Sequence, residues 1–299
     1  MSDCGRYGVS VIAFVGSVFS PYYAWRGRRD PDDHVCINVA LYAPGGNRWT
    51  MTERGRSALD RGPGHFRVGP SRLDWDGRAL TIAFDEIAVP RPPRQFLPQR
   101  VAGRITLVPH AITGRTFDID LAGRQRWWPI APSGDIAVEF DKGGIPDWTG
   151  HGYLDSNWGT VGLEHSFVRW DWARGALADG ESVILYDADL IDGRKAFLVL
   201  RIDAEGRVAE KGELPWSALE RGFWGVGRGA HADPGHRPVI ARTLEDGPFY
   251  MRSLVDTVLF GQKVRLMHES LSGTRFANPI VKAMLPFRMP RRAHYQPRA

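Results

Sequence analysis

The chain has 299 residues, 43% of them hydrophobic and 24% charged, with a formal net charge of +5. This composition excludes a disordered, collagen-like or disulfide-framed protein, and it supplies apolar residues for one large core or two ordinary ones. Only five of the 39 basic residues are Lys, and the Arg residues are spread along the chain without aromatic-basic RNA motifs, so the charge suits anionic lipid head groups and not nucleic acid.

Taken in chain order, the longest apolar run is residues 9–19, interrupted by Gly16 and Ser17 and followed by Pro21. It is shorter than the roughly 18–20 residues of a membrane helix and lacks a basic leader, so it reads as a buried strand and not a signal peptide. Cys4 and Cys36 are the two cysteines, too few for a disulfide framework or a zinc site, which fits a reducing cytoplasmic compartment. Residues 80–84, 104–108, 116–121 and 135–140 alternate apolar and polar side chains, the period of half-buried strands. Residues 182–186, 196–202 and 262–267 repeat the pattern. Asp-Gly or Glu-Gly turns at 76–77, 192–193 and 205–206 join such stretches and supply the positive φ that tight hairpins need.

Helical signals are few: residues 215–221, with Pro215 in the first turn, and residues 278–284. There is no GxGxxG, no P-loop and no βαβ rhythm. The expectation is an all-β chain of sixteen or more short strands, closed into two antiparallel barrels because closure removes sheet edges. One barrel would span 1–165 and carry the chemistry; the other would span 166–299. The tail 288–298 is basic and contains Pro, and it reads as loosely held.

Residues 123–172 hold six of the 11 Trp. On a strand, His151, Tyr153 and Asp155 point to one face, about 7 Å apart. One reading places an imidazole, a phenol and a carboxyl at a barrel mouth lined by Trp127 and Trp128. Desolvation there would raise the Asp155 pKa and keep it protonated as an acid. The other reading has the three side chains hydrogen-bonding in a loop while the Trp residues fill a core. His151, Asp155 and His165 match no metal-ligand spacing, so no metal is expected.

The motifs Ile12-Ala-Phe-Val-Gly-Ser-Val-Phe-Ser-Pro-Tyr-Tyr-Ala-Trp25, Trp49-Thr-Met-Thr-Glu-Arg-Gly-Arg56, Val68-Gly-Pro-Ser-Arg72, Trp127-Trp-Pro-Ile-Ala-Pro132 and Gly150-His-Gly-Tyr-Leu-Asp-Ser-Asn157 spread over most of the chain. Together the sequence resembles the carotenoid 1,2-hydratases of photosynthetic bacteria, also called hydroxyneurosporene synthases. The resemblance implies two lipocalin-like β-barrels packed together and addition of water to the carbon 1–carbon 2 double bond of acyclic carotenoids such as neurosporene and lycopene. It implies no cofactor. Carried over residue by residue, the family's acid corresponds to Asp155, its aromatic two positions earlier to Tyr153, and its Trp to Trp127. The family's His two positions before that Trp is Gln125 here, a departure for which His151 is the candidate substitute.

The implied mechanism has Asp155 protonate carbon 2, Trp127 and Trp128 hold the cation, Tyr153 position the acid or the water, and His151 accept a proton. Trp128, Gln125, Asn157 and Trp158 are expected to contact substrate. So insoluble a substrate implies a cytoplasmic protein in peripheral contact with membrane lipid, with Tyr22, Tyr23, Trp25, Arg26, Phe287 and Arg291 as contact candidates. A non-catalytic carotenoid or lipid carrier, and a lipocalin-like cyclase or isomerase, are the competing readings.

Overall fold

The computed structural model describes residues 1–295 apart from 92, 94, 121 and 143. Among them are 22 strands and three short α-helices, so the chain is all-β as its period-2 patterning requires. Among the described residues, the strand pairs with a defined register are antiparallel except for Arg291–Arg292 beside Glu53–Arg54. Two expectations fall partly or wholly on undescribed residues: the end of the 116–121 strand, of which Phe117–Asp118 is formed, and the tail beyond 295.

The chain divides into two compact units. The first comprises Met1–Pro109, Gly134–Gly152 and Ala283–Ala299; the second comprises His110–Ser133 and Tyr153–Lys282. A single boundary at 165/166 was expected; the observed units are instead discontinuous in sequence. The strands Gln125–Lys142 and Trp148–Gly159, of 18 and 12 residues, each begin in one unit and end in the other.

In the first unit, Gly8–Val15 pairs with Val35–Tyr42 from Gly8↔Tyr42 to Val15↔Val35. The expected buried strand is only half-buried; all eight residues of its partner Val35–Tyr42 are buried instead. Gly8–Val15 ends at Gly16, whose φ of 63° an L side chain seldom adopts. Ser20 then caps the short helix Pro21–Trp25, accepting from Tyr23 N–H at 2.9 Å. Two buried polar contacts sit in this unit: the Arg54–Glu86 ion pair at 2.8 Å, and a hydrogen bond between His34 Nδ1 and Glu53 at 2.8 Å. Arg291 bonds to Glu53 and to Asp33 and is only 17% exposed, so it belongs to this interior network and not to a lipid-facing surface.

In the second unit, a seven-stranded sheet runs in the order Val208–Glu210, Lys195–Ile202, Ser182–Leu190, Phe167–Ala176, Gln262–Ser272, Tyr250–Leu259, Val239–Asp246. Among the described residues no pairing joins its two end strands, so the sheet is open and not a closed barrel. One end strand has only three residues, and the other carries two register shifts; both are ways of blunting an exposed edge. One face carries Ala173, Val183, Leu185, Val199, Val255 and Leu266; the opposite face carries Trp172, Ile184, Tyr186, Leu200 and Ile202.

The helix expected at 278–284 exists as Pro279–Arg288, with Asn278 accepting from Ile280 N–H at 2.8 Å. The helix expected at 215–221 does not. Trp216–Ala218 is a strand paired with Gly229–His231, where Trp216 lies over Gly229 so closely that a Cβ there would clash with the indole. Cross-strand packing of the indole overrides the local helix-start signal.

Candidate active site

The site is built on the aromatic face of the second unit. Phe117 pairs with Trp127 in register, and their rings lie 5.6 Å apart. Trp127 is fully buried; its other neighbour is Tyr186 at 5.7 Å. Tyr153 packs on Trp172 at 5.2 Å, and Trp170 stands 6.1 Å from Tyr186. The Trp127 indole N–H donates to Asp155 Oδ2 at 2.9 Å, and Asn157 Nδ2 donates to the same oxygen at 3.3 Å.

The enclosure acts on the carboxyl in the expected direction. Desolvation, with Glu269 as a like charge, pushes Asp155 up to about 6, against the hydrogen bonds from Trp127 and Asn157 and the nearby Tyr153 hydroxyl, which favour the carboxylate. Tyr153 is pushed well above the usual phenol range by burial and by Asp155, so it stays protonated. Its hydroxyl is within electrostatic reach of Asp155 and Trp127, yet it is buried without a well-formed hydrogen bond. Burial lowers Arg174 to about 10, and its guanidinium bonds to the Pro132 carbonyl at 2.9 Å and the Ser182 hydroxyl at 3.3 Å.

The structure thus brings Asp155, Tyr153, Trp127 and Asn157 together, and it separates the other expected site residues from them. His151 belongs to the first unit, is 62% exposed, and has Asp135 at 3.6 Å and Asp3 at 3.9 Å. An imidazole so exposed lies outside the desolvated surroundings of Tyr153 and Asp155, so the strand alternation holds but the expected three-residue site does not. Trp128 follows Trp127 on one strand and so points to the opposite face, where its Nε1 bonds to the Thr113 carbonyl at 2.8 Å. The two indoles therefore do not line one mouth. Gln125 is buried, and its amide donates to the Val161 carbonyl at 2.9 Å and to Ser166 at 3.1 Å, which anchors the turn after the Asp155 strand. Trp158 is 44% exposed.

Trp170, Trp172, Tyr186 and Glu269 complete the face and escaped the sequence reading as site residues. The two Trp lay in the dense Trp segment, but Tyr186 and Glu269 sit on strands whose register no local pattern gives. A cavity of about 650 Å³ occurs in the first unit, lined by residues including Tyr22, Trp25, His34 and Arg291, and contains none of the Asp155 cluster. Among the described residues, no group of three or more His, Cys, Asp or Glu is arranged to hold a metal ion. None of the described helices is long and apolar enough to cross a membrane.

A family model described as carotenoid hydratase CrtC matches residues 11–298. The acyclic carotenoid 1,2-hydratase of Thiocapsa roseopersicina is 49% identical over 295 residues, covering 97% of this chain and 71% of the relative. The protein of the same name from Rubrivivax gelatinosus is 43% identical, covering 98% and 72%. That from Cereibacter sphaeroides is 43% identical, covering 94% and 98%.

Proposed function

This chain belongs to the carotenoid hydratase family, and from that membership we propose that it adds water across the carbon 1–carbon 2 double bond of acyclic carotenoids such as neurosporene and lycopene. The observation that carries the mechanism is a carboxyl, pushed up to about 6, hydrogen-bonded to a buried indole inside an aromatic enclosure.

The substrate's end group is a trisubstituted alkene with no activating substituent, so water does not attack it unaided. The Asp155 O–H adds its proton to carbon 2, and the alkene's electron pair forms the new C–H bond. A tertiary cation is left at carbon 1, facing the Trp127 ring. Water adds to carbon 1, and its surplus proton returns to the Asp155 carboxylate, directly or across the Tyr153 hydroxyl. The sum is alkene plus water to tertiary alcohol, with the acid regenerated. An apolar chain filling the site displaces water from Asp155 and raises its pKa further, so substrate binding itself loads the acid.

Product made in D2O is expected to carry one new deuterium on carbon 2, and product made in H2-18O to carry the label in a tertiary hydroxyl on carbon 1. Oxygen drawn from O2, or a hydroxyl on carbon 2, overturns acid-catalysed hydration; recovery of unchanged lycopene from active-site-saturating protein leaves a carrier. The reaction needs no cofactor in this scheme. Turnover is accordingly expected to survive exhaustive EDTA treatment, and activity restored by one particular metal ion would end that reading.

Delivery of so insoluble a substrate requires contact with a bilayer. Trp25 at 65% and Phe287 at 84% exposure, with the neighbouring Arg26, support the first unit as the part that meets lipid.

A further inference from the structure

One cross-strand row of the seven-stranded sheet runs through the site. Its registered neighbours are Glu245↔Arg252, Arg252↔Glu269, Glu269↔Trp172 and Trp172↔Tyr186. Residues directly opposite on antiparallel strands share a face. Glu269 therefore stands beside Trp172, the ring on which Tyr153 packs, and Tyr186 at the end of the row packs on Trp127, the donor to Asp155. Arg252 lies 2.8 Å from Glu245 and 2.7 Å from Glu269, with side chains 4%, 20% and 19% exposed. One guanidinium is shared by two carboxylates, so Arg252 does not neutralise Glu269 by itself.

We propose that Glu269, sharing Arg252 with Glu245, is a positioning residue of the Asp155 site and acts on the reaction through Asp155 and the cation without touching substrate. The proposal rests on the hydration reading and adds to it a residue on a strand more than a hundred positions away. Two consequences follow from a fixed, partly neutralised negative charge on a desolvated face. It disfavours a second anion, which keeps the proton on Asp155 until the alkene arrives. It also favours the positive charge that develops at carbon 1 in the transition state. The sign agrees with what the neighbouring groups feel: Glu269 raises both Asp155 and Tyr186. Besides Glu269, the groups acting on Asp155 are Trp127, Asn157 and Tyr153, which stays neutral; Arg174 acts on Tyr153, and its N–H groups are bonded to Pro132 and Ser182.

The test is a titration of Asp155 followed by NMR of protein labelled with 13C at aspartate carboxyls, its signal assigned by loss in Asp155→Asn. Glu269→Gln leaves Arg252 paired with Glu245, and it is expected to move the Asp155 midpoint down by about one pH unit. The alkaline limb of the lycopene hydration profile should move with it, and Glu269→Asp should restore both. Arg252→Met removes the shared cation and is expected to move the midpoint the other way. A midpoint unmoved by Glu269→Gln, or moved downward by Arg252→Met, overturns the proposal. If the wild-type protein hydrates nothing, the hydration reading fails, while the carboxyl titration still decides whether Glu269 governs Asp155.

Discussion

Asp155→Asn is expected to reduce hydration by about 10²–10⁴-fold, the span that a positioned general acid supplies, while leaving the protein folded. Asn keeps the shape and keeps an oxygen to accept from the Trp127 indole at the present 2.9 Å geometry, but it has no proton to give. The stability consequence has a definite sign. A carboxyl raised from 3.8 to about 6 binds its proton more tightly in the folded state than in the unfolded chain. Its favourable contribution is fully present below about pH 4 and is lost as pH rises through about 6. Above that value the wild-type protein holds a desolvated carboxylate, and the neutral amide relieves it. The variant should therefore match or exceed wild-type thermal stability at pH 7–8, with the difference vanishing in acid. Activity within threefold of wild type and an unchanged far-ultraviolet circular dichroism spectrum would remove Asp155 as the proton donor. In the wild-type enzyme, initial rates should fall as pH climbs through the midpoint of Asp155 in the substrate complex, at or above about 6.

Sequence patterning revealed the class of the fold because alternation is a local property. Leu80–Ala88 alternates buried and half-buried residues along its whole length, as its apolar period requires. Tyr153 and Asp155 were legible for the same reason, being two apart on one strand. The rest depended on contacts that period 2 does not encode. His151 continues the alternation, but the chain passes from one compact unit to the other at 152/153, so its face meets solvent while theirs meets an aromatic core. A strand of 18 residues spans about 60 Å, long enough to serve two units, and nothing in its composition marks the crossing. Glu269 looks like an ordinary outward carboxylate of an alternating strand until its register places it opposite Trp172. The Pro215 signal failed for a related reason: a helix start is a local preference, and the Trp216 ring found a better partner across the strand at Gly229.

Trp127 offers the second large effect, and its variants separate what the indole does. Trp127→Ala is expected to lose nearly all activity, far more than Trp127→Phe. The side chain is fully buried, so truncation to Ala also costs about 3–5 kcal/mol of stability through the cavity it leaves. Trp127→Leu fills more of that space and has no π face, which makes Leu against Phe the informative comparison. A cation held on a desolvated ring is worth about 2 kcal/mol or more, so the Leu variant should turn over about 30-fold more slowly than the Phe variant at equal folded fraction. The Phe variant tests the N–H separately. The indole hydrogen bond favours the Asp155 carboxylate, so its loss should raise the Asp155 midpoint and carry the alkaline limb of the rate profile upward. This is the direction opposite to that expected for Glu269→Gln. Equal rates for Leu and Phe would make the ring a packing element, and a limb that moved downward in Trp127→Phe would show that the indole is not holding the charged form of the acid.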